Sequence, residues 1–468
     1  MSKIAHLFHT LPGCCATPNT ARVRLATRGN SLTKADAKLK KKLGLADVCA
    51  ISLSASIGVS IFAVAAPAVA LAGPAILAAL SLAAIPMLIF SVVYAFMSTA
   101  LPRTGASYVW PTLFVDPAVG FHVSWLRIAG AAGSLYLMAT VFSDYLAQLV
   151  TMPRMPLLIV ILTCSLVLNI LGAGLIGRLA QWLVLIKLIM LGSFIGHGLP
   201  HINLAYFTPF APSGFIGIAA AIPLLFGLYT GIESAAECGE EVRDDDKIIA
   251  KGLVISSLVA LVIYFGTLMV TIGVIGAPAV SASLAPLGLA GAALSPGSAL
   301  AVVYTALIAI AAAMNTLMMT FARLLFAMGR DGVLPESFGK LNSKFGTPHF
   351  ALFVAYASSL ACMALPNELL FLLLAANTPI MVKYGVNCLS TTRLLRDHPH
   401  LYRASGFLIR QSHLVILSWV GVACSALMIL LGLTADWRPY ALLCGWTALG
   451  NAYWMIHARH RRRQIYSL

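Results

Sequence analysis

Leu45 to Gly73 reads LADVCAISLSASIGVSIFAVAAPAVALAG. The stretch is apolar and long enough to cross a bilayer, which takes about 20 helical residues at 1.5 Å each. Yet Ser54, Ser56, Gly58 and Ser60 fall at its middle. In hydrocarbon every backbone N–H and C=O needs a partner, so unwound chain survives at that depth only where it lines a cavity or is buried in protein. Read one way, this is a helix interrupted at the midplane, the best sequence pointer to a substrate site in a transporter. Read the other way, it is a packing helix whose small residues admit a close neighbour. The rest of the chain has to decide between them.

Composition places the whole chain in a membrane. It has 468 residues, 60% hydrophobic and only 10% charged, against about 25% charged in soluble domains. Apolar stretches recur at roughly 47–72, 76–100, 118–149, 156–173, 178–198, 213–239, 249–277, 297–328, 347–364, 367–389, 412–434 and 437–457. That excludes a monotopic or single-span protein. In a soluble protein the net charge of +15 would point to nucleic acid. Here loop asymmetry explains it, and no nucleic-acid partner is expected. With the N-terminus placed in the cytoplasm, about 26 of the 31 Lys and Arg fall inside, as the positive-inside rule requires. Arg154 and Arg438 fall outside, and Arg127, Lys187 and Lys383 lie within spans. Both termini are therefore expected in the cytoplasm, in the plasma (inner) membrane. Lys40 to Lys42 and Arg461 to Arg463 serve as topology signals facing an anionic leaflet. The cysteines form no matched external pairs, so no disulfide framework is implied.

Residues 1–44 read as a basic cytoplasmic tail, although the acid-poor start up to Asp36 also has a transit-peptide composition. After the first span, Gly73-Pro74-Ala75 marks a tight external turn. A loop LPRTGASYVW at 101–110 precedes span three, which holds Arg127 and, near its outer end, Asp144. Span five holds Lys187. A mid-span cation is functional by default, and this one is too far from either end of its span to snorkel out easily. Span six reads PLLFGLYTGIE over 223–233, with Pro223, Gly227, Gly231 and the acid Glu233 close together. It follows the first interrupted stretch by five spans, an odd number, which inverts the second copy. Two interrupted spans at matching places in two five-span halves are the mark of an inverted repeat with a site between them. This spacing favours the cavity reading of the first stretch. The expected units are 45–200 and 201–390, followed by peripheral spans eleven and twelve within 391–468. The cluster Glu240 to Lys247 and the loop carrying Arg323, Arg330 and Asp331 read as solvated cytoplasmic segments.

Several motifs then fall into one pattern. Ile57-Gly58-Val59-Ser60-Ile61-Phe62, Tyr94, Pro102-Arg103-Thr104-Gly105-Ala106-Ser107-Tyr108, and Gly120-Phe121 with Trp125 come first. Phe226, Tyr229, Gly231 and Glu233 follow, then Arg323 with Arg330-Asp331-Gly332-Val333-Leu334-Pro335 and Gly346-Thr347-Pro348. In this order and at these spans the chain resembles the amino acid–polyamine–organocation transporters over roughly 40–350. The resemblance implies an all-α membrane protein of about 12 transmembrane helices with the LeuT-type fold. That fold is a 5+5 inverted repeat with discontinuous spans one and six, plus two peripheral helices. It implies a secondary transporter working by alternating access, with a small-molecule amino acid and the lipid bilayer as partners and no cofactor or metal.

The resemblance also implies a site built from backbone. The helix half starting near Ser60 would present N–H groups to a carboxylate. The ends near Ser56 and at Phe226 to Leu228 would present carbonyls to an ammonium. Candidate substrate-binding residues are Ser56, Ile57, Gly58, Val59, Ser60, Phe226, Gly227, Leu228, Tyr229, Thr230, Gly231 and Asn315, with Thr316 a weaker one. Phe226 or Tyr229 would act as a gate, or else as core. Lys187 matches a lysine of sodium-independent members that resembles a stand-in for a sodium ion, leaving two roles open: proton coupling, or a fixed structural cation. Glu233, Arg127, Arg330 and Asp331 are candidates for gating or structural roles. Val59 and Ser60 depart from the family's serine and second glycine, so carboxylate geometry is expected to differ. Cations within the spans balance or exceed the acids there. Neutral or acidic amino acids are thus expected over polyamines, an amine exchanger being the alternative. Motifs for hydrolases, metalloproteases and nucleotide binding are absent, which argues against an enzyme. A channel would show a continuous polar stripe rather than two polar breaks, and a transport-silent sensor of the same fold is the remaining class.

Overall fold

A computed structural model describes residues 44–101, 106–171, 176–235, 242, 246–342 and 345–466. The tail before Gly44 with Cys14 and Cys15, residues 102–105 of the 101–110 loop, and most of the charged run around Glu240 lie outside the described residues. The helices, in chain order, are α1 (Leu45–Ser56), α2 (Ser60–Ala72), α3 (Ile76–Ala100), α4 (Ala106–Phe114), α5 (Pro117–Leu146) and α6 (Arg154–Leu171). Then come α7 (Ile176–Gly198), α8 (Gly214–Phe226), α9 (Asp246–Ile275), α10 (Ala277–Ala282), α11 (Pro286–Leu294) and α12 (Pro296–Arg330). The last five are α13 (His349–Ala361), α14 (Leu369–Asp397), α15 (Pro399–Ser405), α16 (Gln411–Ala435) and α17 (Arg438–Tyr466).

Among the described residues, 9 helical stretches are long and apolar enough to cross a membrane. One of them, Ser60–Ala100, leaves helical conformation at Gly73 and so holds two spans, α2 and α3. Adding the shorter apolar α13 and the C-terminal α17 completes the order read from the sequence. Exposed Ile416, Trp419, Leu427 and Leu430 on α16 are what a lipid-facing helix carries, because tails are as apolar as leucine. Short α4, α10, α11 and α15 are additions that hydropathy alone does not announce, being too brief to cross. Asp116 caps the start of span three, accepting from Ala118 N at 2.7 Å with Pro117 at the first helical position.

The packing repeats itself with a period of five spans. The first half-span α1 packs on α9 as α8 packs on α3. Likewise α5 packs on α6 as α12 does on α13, and α6 on α12 as α13 does on α5. Helix α7 touches α1, α9 and α12, while α14 touches their counterparts α8, α3 and α5. Exchanging each span for the one five places away maps these contacts onto one another, which is the packing an inverted repeat gives. Outside this ten-span core, α16 lies on α14, α8 and α3, and α17 on α5. Trp125 and Trp446 join α5 to α17 by exchanging hydrogen bonds, each indole N–H donating to the other residue's carbonyl at 2.9 and 2.7 Å. Their rings stack at 4.8 Å.

Outside the spans, Arg438 ties the start of α17 to the start of α14. It pairs with Glu368 at 2.5 Å and Asp436 at 2.8 Å, and its guanidinium holds both carboxyls below the usual carboxylate range.

The corner at Gly73 depends on a conformation that side chains avoid: φ is +60°, and an added Cβ would run into the ring of Pro212. Gly73→Ala is expected to lower stability by about 1–3 kcal/mol, read as a reduced melting temperature in detergent. An unchanged melting temperature would contradict the corner.

Candidate functional site

Both interruptions are real departures from helix. The first falls between α1 and α2. Ile57 turns out of the helix with φ −79° and ψ 72°, and Gly58 N bonds back to Ser56 O at 2.8 Å. Helix α2 then starts at Ser60 with no side-chain cap on its first N–H groups. The second interruption tightens at Gly227–Tyr229 into a 3-10 turn. Thr230 is extended, and Gly231 takes φ +98°, a value open to glycine and strained for other residues.

The two breaks meet each other directly. A Cβ on Gly231 would come within 2.9 Å of the backbone of Ala55, so only glycine lets the two chains approach this closely. Ser56 Oγ donates to Leu228 O at 2.8 Å. Since its one proton is used there, Tyr264 of α9 donates to Ser56 Oγ, also at 2.8 Å. Gly58 abuts α12, where Ala313 Cβ would lie 2.9 Å from a Cβ at position 58.

A helix end leaves carbonyls without partners, and here side chains from the fifth span of each half supply them. From α7, Lys187 Nζ donates to Ile57 O at 2.7 Å and to Ser54 O at 3.4 Å. A cation at the carbonyl end of a helix is also where the helix dipole favours it. In the second half, Asn377 of α14 donates to Pro223 O at 3.5 Å and packs its amide where a Gly227 side chain would go. The acid Glu233 closes the second turn by accepting from Gly231 N at 2.9 Å, and its other oxygen pairs with Lys383 of α14 at 2.5 Å.

Burial sorts the sequence candidates. Ser56, Ile57, Gly58, Val59, Phe226, Gly227, Leu228 and Tyr229 are buried, whereas Ser60, Thr230 and Gly231 are half-buried, as are Ser54 and Ser234. The residues at the breaks that keep some exposure are thus small or hydroxylated. Phe226 and Tyr229 are not among them. Phe226 packs edge-on against Phe90 and Tyr384. Tyr229 packs against Tyr264 and donates to Leu80 O. In this conformation both are core, the alternative their sequence left open.

Asn315 turns toward α6, where Asn169 donates to its side-chain oxygen at 2.7 Å. It is two residues from Ala313, about 200° around the helix, so it leaves the face that meets Gly58. Thr316 is exposed. Arg330 and Asp331 are exposed at the end of α12, about 25 Å along the helix from Ala313, and Arg127 is half-buried on α5. Arg330 and Asp331 thus lie away from the breaks. Tyr264, Asn377, Ala313 and the pairing of Lys383 with Glu233 were not named as site features by the sequence. Only the lysine carried a signal: it is a second cation within a span, in the fifth span of the second half.

The sequence matches the amino acid permease family over residues 43–439, and the chain belongs to that family. Among individual relatives, the branched-chain amino acid permease BcaP of Lactococcus lactis is 29% identical over 342 residues, covering 66% of this chain and 73% of the relative. BcaP of Bacillus subtilis is 22% identical over 399 residues, covering 80% and 86%. The methylthioribose transporter of Bacillus subtilis is 25% identical over 338 residues, covering 66% and 72%. The chain is thus a multi-pass integral membrane protein of a transporter family.

The contact between Gly58 and α12 gives a reciprocal test. Gly58→Ala is expected to destabilise by about 1–3 kcal/mol through overpacking against Ala313, and Ala313→Gly in the same chain should restore most of the lost melting temperature. Equal destabilisation with and without the second change would rule out the contact.

Proposed function

We propose that this permease is a secondary transporter of neutral, branched aliphatic amino acids. Substrate would be gripped between the two helix breaks and passed across the membrane by alternating access. The observation that carries this reading is the meeting of the two breaks, with an uncapped helix start at Ser60 beside them. Free N–H groups and a positive dipole end suit a carboxylate. An ammonium is suited by the hydroxyls and remaining carbonyl lone pairs at the half-buried edge near Ser54, Thr230 and Gly231. Around that edge Ile57, Val59, Leu228 and Ala313 are apolar and buried, which suits an aliphatic side chain.

Charge argues for a neutral substrate over a cationic one. Among the described residues, Lys187, Lys383 and Glu233 are the buried charges near the breaks, and their formal sum is positive. A second cation carried by the substrate would be repelled in that low-dielectric interior. The names of the two BcaP relatives point the same way, as substrates of those proteins. Lys187 holds the Ser54 and Ile57 carbonyls, where the family resemblance has it stand in for a sodium ion; this supports sodium-independent transport, and its place at the first break supports a role in proton coupling. The loop charges support a cytoplasmic location for both termini; a plasma membrane as the location and 45–200 and 201–390 as the repeat units belong to the same reading.

Purified protein in proteoliposomes is expected to accumulate leucine, isoleucine or valine and to leave lysine, arginine and putrescine outside. Glutamate and methylthioribose serve as further arms. Uptake of putrescine in preference to leucine would replace this reading with the amine exchanger. Ser60→Leu should abolish uptake while leaving folded protein, as judged by size-exclusion chromatography. Lys187→Ala should flatten the dependence of uptake on pH, and a retained profile would leave Lys187 as a fixed structural cation.

A further inference from the structure

Lys383 lies in the tenth span, buried to 3% exposure, and pairs with Glu233, itself 5% exposed. Two charges removed from water inside a membrane protein are an expensive arrangement, and an apolar pair of similar volume is often more stable. Stability alone therefore does not account for them. What distinguishes this pair is the rest of its geometry. The second Glu233 oxygen accepts from Gly231 N at 2.9 Å, and Gly231 is the residue at φ +98° that touches Ala55 of the first break. The Lys383 ammonium also faces the rings of Tyr384 at 4.6 Å and Tyr94 at 5.8 Å. The Tyr94 hydroxyl in turn accepts from Asn387 at 2.6 Å and lies 3.3 Å from Ser107 Oγ on α4. Glu233 is thus fixed from one direction by a lysine whose own position is set by two aromatic rings, and it holds the glycine turn from the other.

We propose that Lys383 is a positioning residue for substrate recognition: through Glu233 it sets the Thr230–Gly231 turn that forms the second break's share of the site. It would do for that break what Lys187 does for the first, from the corresponding span of the other half. Lys187 acts on carbonyls directly, whereas Lys383 acts through a carboxylate that captures an N–H. The proposal rests on the reading of the breaks as the amino acid site, and the test separates the two.

Three forms of the full-length protein are compared: wild type, Lys383→Met, and Lys383→Met combined with Glu233→Gln. The double variant leaves no unpaired buried charge, so it guards against loss of fold in the single one. For labelling only, each form also carries Thr230→Cys, whose reaction with a small maleimide is followed site by site by mass spectrometry; uptake is measured on the forms without that change. Loss of the pair should free the turn and speed labelling at position 230 by about threefold or more, as expected for a locally loosened segment. It should also raise KM for leucine uptake by about tenfold, equivalent to about 1.4 kcal/mol of binding. Both effects should persist in the double variant. Wild-type labelling and KM in the folded double variant would overturn the proposal, since the pair would then only have balanced its own charges. If the wild type carries no neutral amino acid, the reading of the site falls, while the labelling rate still decides whether Lys383 holds the turn.

Discussion

A backbone group inside a bilayer has nowhere to turn but to the protein, and this chain breaks two helices in that medium. Every exposed carbonyl or amide so created needs a partner. Ser54 and Ile57 find Lys187. Leu228 finds Ser56, Pro223 finds Asn377, and the Gly231 amide finds Glu233. The partners come from α7, from α14, from the other break or, for the Gly231 amide, from the same turn. The fifth span of each half is thereby tied to the break in its own half, and the breaks are tied to each other. Among the described residues, groups at the Ser60 helix start have no side-chain cap, and there the carboxylate of the proposed substrate would find its donors.

The symmetry of the packing accounts for two breaks rather than one at the proposed site. An inverted repeat brings the midpoints of its corresponding spans to a common level, so an interruption copied into both halves places carbonyl and amide ends face to face. The two breaks differ in chemistry. One is secured by a lone cation on carbonyls, the other by an amide and a lysine–glutamate pair. That difference makes the interior net positive at the breaks, which bears on the charge of the substrate it admits.

Much of this was legible in the sequence because the signals were strong and local. Serine and glycine within an apolar run marked the first break. Pro223, Gly227, Gly231 and Glu233 marked the second, and spacing alone related them. Lys187 stood out because a charge in a span has few bland explanations. Residues whose roles depend on rotation about a helix axis were less legible. Asn315 is polar and at the right depth, yet it lies two residues from the contact face and so meets Asn169 instead. Phe226 and Tyr229 fit a gate by type, but their rings are taken up by neighbouring aromatics. Tyr264 and Ala313 left no mark, since a tyrosine or alanine in an apolar helix is ordinary until its neighbour across the bundle is known. The partner of Glu233 lies 150 residues away, and no local pattern joins them.

The central claim is that both ends of an amino acid's main chain are gripped between the breaks. Equilibrium binding to the purified protein tests it most directly, comparing leucine with two fragments: the corresponding amine lacking the carboxylate, and the corresponding acid lacking the amine. Each missing group forfeits charge-assisted hydrogen bonds of about 1.5–3 kcal/mol, so both fragments should bind at least about tenfold more weakly than leucine. An amine that binds as tightly as leucine would contradict the account.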